Sequence, residues 1–150
     1  MANLKDKTIQ LYFKTQNGYS YRVSGQMTYE QFLNGGRKAD NYIETIKEIR
    51  NCEYKSEKYV ALKSTLPLCS VASYSSRMKA TYNDITEEYN VISIDIDLAD
   101  NGEFFKEHTL DELKSAWIEH PSCFCSMLSC GGQGIVLYFL VEDLRHNADL

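Results

Sequence analysis

The chain contains few prolines, few glycines and no long apolar run. Two prolines and eight glycines among 150 residues exclude collagen-like and low-complexity proteins, and a content of 43% hydrophobic residues excludes a wholly disordered chain. Apolar stretches such as 135–141 are far shorter than the roughly 20 residues that a membrane helix needs. The opening segment MANLKDKTIQ lacks the apolar core of a secretory signal. We therefore expect a cytoplasmic, globular protein without a membrane span.

An even set of cysteines is also lacking, since the chain has five. In a protein without a secretory signal, this favours reduced thiols over a disulfide framework. Cys123, Cys125 and Cys130 are close enough in sequence to suggest zinc. A fourth ligand at metal-site spacing is missing, however, and two of the three fall in a predicted strand. We favour buried thiols over a zinc site.

Charge is unevenly distributed along the chain. Residues 1–80 contain 13 Lys/Arg and 7 Asp/Glu, a net charge of +6, whereas residues 81–150 contain 3 and 14, a net charge of −11. The first part could attract an anionic partner and the second could supply carboxylates to metal ions. Two solvated faces of one domain would explain the same asymmetry, and charge alone favours that simpler interpretation.

Hydrophobic periodicity predicts an α+β fold. An Asn17-Gly18 turn between the alternating stretches 8–13 and 19–23 predicts a hairpin. Helical spacing predicts helices over 28–33, 40–50 and 56–64, and a Thr109–Glu112 capping box predicts another that ends before Pro121. Further segments are predicted as strands (68–74, 89–97, 123–128 and 135–141), as an irregular polar stretch (77–86), as a loop (98–108) and as a turn (131–134). We expect one domain with a mainly antiparallel or mixed sheet and helices packed on it.

The strand that ends in Asp95-Ile-Asp97 is the most informative feature. Side chains alternate along a strand, so Asp95 and Asp97 share one face, about 7 Å apart, while Ile94 and Ile96 point the other way into a core. Two adjacent carboxylates repel each other, and aspartate is disfavoured in strands. A hard divalent cation, Mg²⁺ or Mn²⁺, would offset that repulsion. The alternative is a strand that simply runs out into an acidic loop.

A glycine-rich turn, Ser129-Cys-Gly131-Gly132-Gln-Gly134, separates two apolar strands. Glycines let the backbone approach a phosphate closely and turn its N–H groups toward the anion. Hairpin loops are often rich in glycine, so the turn alone does not distinguish a phosphate site from an ordinary connection.

Taken together, these motifs resemble the catalytic core of the archaeo-eukaryotic primase (prim-pol) superfamily, and more closely the VirE N-terminal-domain family. The resemblance covers residues 58–141 and depends on four motifs: Leu62-Lys-x-x-Leu66-Pro67, the small-residue strand with Arg77, Val91-Ile-x-Ile-Asp95-Ile-Asp97, and Leu128-Ser129-x-Gly131-x-x-Gly134. Such domains occur in replication-type proteins of Bacteroidetes genomes and mobile elements, often ahead of a helicase-like region. The resemblance implies a prim-pol, RRM-like fold within the N-terminal part of a longer replication protein. Residues 1–55 would then be a family-specific hairpin-plus-helix part and residues 142–150 a polar tail.

The same resemblance implies nucleotidyl transfer on nucleoside triphosphates and a single-stranded DNA template. Asp95 and Asp97 would be catalytic and would hold two Mg²⁺ or Mn²⁺ ions. The turn residues Ser129, Gly131, Gly132 and Gly134 would bind the nucleotide's phosphates, and Arg77 and Lys79 would pair with triphosphate or template phosphate.

The chain departs from the superfamily pattern at two points. The positions at which prim-pols usually carry a histidine are Ile135, Val136 and Leu137, and the third metal carboxylate is expected beyond Leu150. These departures favour an alternative in which the domain is not catalytic and serves as a nucleic-acid-binding or helicase-docking module. A metal-dependent hydrolase or glycosyl transferase that uses the same aspartates is a further alternative.

Overall fold

The computed structural model describes residues 6–14, 21–34, 42–74 and 85–141 and divides the chain into two compact units, Met1–Tyr89 and Asn90–Leu150. The boundary between the units lies inside residues 58–141, the stretch that we assign to a prim-pol-like core, and that assignment stays a prediction.

In the first unit the elements are β1 (Thr8–Lys14), β2 (Tyr21–Thr28), α1 (Tyr29–Leu33), α2 (Tyr42–Arg50), α3 (Glu57–Thr65), β3 (Leu68–Cys69), β4 (Ala72–Tyr74) and β5 (Ile85–Glu88). In the second unit they are β6 (Val91–Asp97), α4 (Phe104–Glu107), α5 (Leu110–Ile118), β7 (Cys123–Leu128) and β8 (Gly134–Leu140).

The first unit is built around the predicted hairpin. β1 and β2 pair antiparallel, with an irregular register next to Leu11, and β3 pairs with the other edge of β1. Ile9 and Leu11 alternate with more exposed neighbours and are buried, as the period of a half-buried strand requires. The hairpin strands are confirmed, while the Asn17-Gly18 turn lies outside the described residues. β4 and β5 form a separate two-stranded antiparallel ladder.

Two helices of the first unit, α1 and α3, begin at capping side chains. Thr28 and Gln31 form a capping box at α1, and the Ser56 hydroxyl accepts a hydrogen bond from the Tyr59 N–H at the start of α3. α2 and α3 pack against each other, and their inward residues Ile49 and Tyr59 are buried.

In the second unit, a three-stranded antiparallel sheet has the order β6-β8-β7. α5 begins at the predicted Thr109–Glu112 capping box and packs on β7 and β8. Its Leu113 forms the core with Ile135 and Leu137 of β8, and the partly buried side chains that surround this core are Ile96, Phe105, Leu110, Trp117 and Phe139. The face of β8 that carries Ile135 and Leu137 is therefore the inner face of this unit.

Three local expectations are wrong. The stretch 68–74 is not one strand, since β3 and β4 are separate elements that pair with different strands. Ile85 and Thr86 were expected to be irregular but belong to β5. Pairing with β4 stabilises a strand here although the neighbouring sequence is polar. The loop 98–108 contains the short helix α4, whose Phe105 packs against the core.

The fold class is α+β, and every ladder among the described residues is antiparallel. Within these residues the structure has five helices, and none of them is long and apolar enough to cross a bilayer.

Candidate functional site

The aspartate strand and the glycine-rich turn meet at one end of the second unit's sheet. β6 runs antiparallel to β8, so the carboxyl end of β6 lies beside the start of β8, where the turn ends. Asp97 pairs with Gly134, and Asp95 pairs with Val136. The Leu98 N–H donates a hydrogen bond of 3.0 Å to the Gln133 carbonyl and so ties the chain after the aspartates to the turn.

Asp95 and Asp97 lie on the same face of β6, and both are exposed. The opposite face carries Ile94 and Ile96, but only Ile96 packs against the core, whereas Ile94 is 42% exposed. The expectation that both isoleucines are buried is therefore wrong for Ile94. The physical reason is the position of α5, which packs on β7 and β8 and leaves this part of β6 open to solvent.

Asp97 and Gly134 approach each other closely. Because Leu98 donates to Gln133, Asp97 and Gly134 form a non-hydrogen-bonded pair, the type in which the two Cα atoms are nearest. A Cβ added to Gly134 would lie 2.6 Å from the Ile96 carbonyl oxygen and 3.1 Å from Asp97 Oδ1. No side chain fits there without movement of the backbone.

The backbone carbonyl of Asp97 fixes the segment that follows. It accepts hydrogen bonds from the Asp100 N–H at 3.3 Å, from the Asn101 N–H at 3.2 Å and from Asn101 Nδ2 at 2.9 Å. This turn directs the chain away from the sheet directly after the second aspartate. The backbone of Asp97 is thus held at a defined point at the end of the strand.

Within the glycine-rich turn, two of the candidate amides already have partners. The Ser129 N–H donates to the Gly134 carbonyl and the Gly132 N–H donates to the Ser129 carbonyl, both at 2.9 Å. Gly132 has a φ of 71°, a left-handed conformation that glycine adopts without a steric cost. Any anion at the turn would therefore have to use other donors, such as the N–H of Gly131.

Prim-pol proteins usually carry a histidine at one of the positions that correspond to Ile135, Val136 and Leu137. These three residues differ in environment. Ile135 and Leu137 are fully buried on the α5 side, while Val136 lies opposite Asp95 on the aspartate face. A histidine at position 136 would therefore share the face of the carboxylates, whereas the side chain of Val136 has no polar atom. Arg77 and Lys79, together with the late acids Glu142 and Asp143, lie outside the described residues.

Asp95 and Asp97 are the carboxylates of this site that are available to a divalent ion. Among residues 6–14, 21–34, 42–74 and 85–141, no group of three or more His, Cys, Asp or Glu side chains could hold a metal. Mg²⁺, however, is typically held by one or two carboxylates, several waters and substrate phosphates rather than by an all-protein cage. Asp95 and Asp97 fit that mode of binding.

The cysteines have the environment of buried thiols. Cys123 is buried, Cys125 and Cys130 are partly buried, and none of the five cysteines forms a disulfide. Burial raises the pKa of Cys125 to about 11 and also raises the pKa of Cys123. Metal binding requires the thiolate, which these shifts disfavour.

Sequence reasoning identified the aspartates and the turn but missed the steric role of Gly134 against Asp97. The available signal was a glycine at the first position of an otherwise bulky apolar strand, which often marks a close backbone approach.

Comparison of the chain with protein-family models, with curated proteins and with solved structures gives no match.

Proposed function

We propose that this protein is a divalent-metal-dependent nucleotidyltransferase domain of the DNA primase/polymerase type, acting on nucleoside triphosphates and a single-stranded template. The observation that supports the proposal is the pairing of Asp97 with Gly134, which puts two exposed carboxylates and a glycine-rich turn at one end of one sheet. Carboxylates for metal and glycine amides for phosphate are the components that phosphoryl-transfer sites combine.

In this proposal, Asp95 and Asp97 hold Mg²⁺ or Mn²⁺ through their carboxylates. Such ions, when bound, activate the attacking hydroxyl and neutralise charge on the triphosphate. Gly134 keeps the space beside Asp97 clear, so that the Asp97 carboxylate stays at the end of the sheet. The turn from Ser129 to Gly134, with its Gly131 amide, lies beside the phosphates, and Arg77 and Lys79 supply positive charge to them.

The alternative is a domain that binds nucleic acid or docks a helicase but performs no chemistry. It is favoured by Val136, an apolar residue opposite Asp95 and one of the three positions at which prim-pols usually carry a histidine. It is also favoured by the lack of a third acidic or histidine donor near the aspartates within the described residues.

Isothermal calorimetry of Mn²⁺ binding, with and without a non-hydrolysable nucleoside triphosphate, tests the proposal. The variants are Asp95→Asn/Asp97→Asn and, as a matched control, Asp111→Asn, which neutralises an exposed carboxylate in the first turn of α5. We expect Mn²⁺ binding that tightens with triphosphate in the wild type and in Asp111→Asn and disappears in the double variant.

Two results would contradict the proposal. One is the absence of Mn²⁺ binding by the wild type in the presence of triphosphate. The other is equal binding by the wild type and the double variant, which would place the ion elsewhere. Circular dichroism of each variant checks that the fold is retained, so that lost binding is not mistaken for unfolding.

A further inference from the structure

The segment that follows β6 contains an Asn-Gly pair on the surface. Asn101 and Gly102 are both exposed. The Asn101 N–H donates to the Asp97 carbonyl and the Asn101 carbonyl accepts from the Phe105 N–H, both at 3.2 Å. Within the part of the chain that the structure describes, no hydrogen bond uses the N–H of Gly102. The main-chain nitrogen that follows Asn101 is therefore open to reaction.

Gly102 also leaves space beside the asparagine side chain. A Cβ at this position would meet only the Leu98 carbonyl oxygen, at 3.7 Å. Glycine has the widest conformational freedom of all residues, so the main chain at Gly102 can rotate toward the neighbouring side chain. Neither a side chain at position 102 nor a crowded backbone blocks the approach of the Gly102 nitrogen to the side-chain amide of Asn101.

One hydrogen bond restrains that amide among the described residues. Asn101 Nδ2 donates to the Asp97 carbonyl at 2.9 Å, which is shorter than the bonds to the same oxygen from the Asp100 N–H at 3.3 Å and the Asn101 N–H at 3.2 Å. A single hydrogen bond contributes a factor of about 2 to 12 to an equilibrium constant. The side chain therefore leaves this position often, and the turn after β6 depends in part on its return.

We propose that Asn101 is a site of spontaneous deamidation and that this modification loosens the turn after β6. The Gly102 nitrogen gives up its proton and attacks Cγ of Asn101. A bond forms between these two atoms, the bond from Cγ to Nδ2 breaks, and ammonia leaves with the proton. Water then opens the resulting succinimide ring, with its hydroxyl on a ring carbonyl carbon and its hydrogen on the ring nitrogen, to give aspartate or isoaspartate. Water is the only co-reactant, and the reaction does not depend on the proposed function.

The product cannot restore the bond to the Asp97 carbonyl. A carboxylate only accepts hydrogen bonds, and so does the carbonyl that it would face. The segment already contains Asp97, Asp100 and Glu103, so a further negative charge adds repulsion between like charges. Isoaspartate also lengthens the main chain by one carbon atom. The Asp97 carbonyl then keeps only its two longer bonds, and the turn opens more often.

Peptide mass spectrometry of the full chain, before and after incubation at mildly alkaline pH in EDTA, tests the reaction. We expect the mass gain of an amide-to-carboxylate exchange at Asn101 in the native protein, at a rate about 2 to 12 times lower than in urea. Two other Asn-Gly pairs, Asn17-Gly18 and Asn34-Gly35, report in urea how fast the dipeptide reacts without a fold.

Gly102→Ala is the matched control for the reaction. Its methyl group hinders the attack on Asn101 but has room in the fold, so the variant should deamidate several times more slowly with an unchanged urea midpoint. The proposed site is overturned if Asn101 stays intact in the native wild type while it reacts in urea. It is also overturned if Asn101 reacts equally fast in the wild type and in Gly102→Ala.

Hydrogen exchange and urea unfolding test the loosening of the turn. In the incubated protein and in Asn101→Asp, we expect faster exchange of the Asp100 and Asn101 amides, which donate to the Asp97 carbonyl, and a lower urea midpoint. Asn101→Ala removes the side-chain bond without adding charge, so its midpoint should lie between those of the wild type and Asn101→Asp. Unchanged exchange and an unchanged midpoint in Asn101→Asp would show that the turn does not depend on this side chain. Because metal is absent, these outcomes are separate from those of the Mn²⁺ experiment.

Discussion

Gly134 and Asp97 face each other across the β6–β8 ladder with no room for a side chain on the glycine. The Asp97 Oδ1 atom would be 3.1 Å from a Cβ at position 134, and the Ile96 carbonyl oxygen would be 2.6 Å from it. The glycine at the end of the turn thus has a steric role toward an aspartate 37 positions earlier in the chain. This relationship joins the two candidate motifs physically.

Substitution of Gly134 by alanine should therefore disturb both the sheet and the aspartate. The new methyl group forces β6 and β8 apart or displaces the Asp97 carboxylate, and overpacking of this kind costs about 1–3 kcal/mol. We expect a lower free energy of unfolding in urea and, on the proposed function, weaker Mn²⁺ binding in the presence of triphosphate.

Gly102→Ala is the control for that prediction. A Cβ at Gly102 would meet only the Leu98 carbonyl oxygen, at an ordinary contact distance of 3.7 Å. It should change stability far less than Gly134→Ala does. Equal stability of the two variants would show that β6 and β8 adjust freely and that Gly134 has no steric role.

Leu137 and Ile94 provide a second matched pair. They lie directly opposite each other in the β6–β8 ladder and on the same face, yet Leu137 is 1% exposed and Ile94 is 42% exposed. Leu137→Ala should lower the free energy of unfolding by about 2–5 kcal/mol, since it opens a cavity beneath α5. Ile94→Ala should cost much less, and urea unfolding of both variants measures the difference. Similar losses at the two positions would mean that Ile94 is buried in solution.

This pair also shows how much of the structure could be predicted from the sequence. Local signals were sufficient for the Thr109–Glu112 capping box, for the start of α3 after Ser56 and for the antiparallel hairpin strands. The alternation of side chains along a strand likewise predicted that Asp95 and Asp97 lie on the same face of β6. Each of these features depends on residues that are close together in the chain.

The remaining features depend on contacts between distant residues. Whether Ile94 or Ile96 is buried depends on where α5 lies across the sheet. The local sequence pattern of β6 does not predict the position of α5. β5 forms through pairing with β4, and α4 forms where Phe105 reaches the core. The pairing of Asp97 with Gly134 requires the β6–β8 register, which becomes visible only in the folded sheet.

Cys125 should react slowly with alkylating reagents in the native protein. Burial raises its pKa to about 11, so that only about one molecule in a thousand carries the reactive thiolate at pH 8. We expect mass spectrometry after brief iodoacetamide treatment to find Cys125 and the buried Cys123 unmodified, and both modified in urea. Native labelling of Cys125 as fast as in urea would contradict the burial of this strand.

The capping box at α5 should contribute to stability in a manner that depends on pH. Hydrogen bonds from the Thr109 N–H, at 2.8 Å, and from the Thr109 hydroxyl lower the pKa of Glu112 below its ordinary value. A carboxyl whose pKa is lowered on folding stabilises the folded state fully above its unfolded pKa, about 4.3, and this contribution is lost as the pH falls through the folded pKa. The stability advantage of the wild type over Glu112→Gln should therefore be constant near neutral pH and shrink below about pH 4.5.

Glu112→Gln is the informative variant because glutamine can still accept the hydrogen bond of a capping box but does not titrate. Thr109→Ala removes the cap itself, and it should cost about 0.5–2 kcal/mol near neutral pH and weaken the pH dependence assigned to Glu112. Urea unfolding between pH 3 and pH 7, within the usual titration range of carboxyl groups, measures all three proteins. If the difference between the wild type and Glu112→Gln stays the same across this range, the Glu112 carboxylate does not stabilise the start of α5 through its charge. The hydrogen-bond geometry of the box, which glutamine preserves, would then account for the whole effect of the cap.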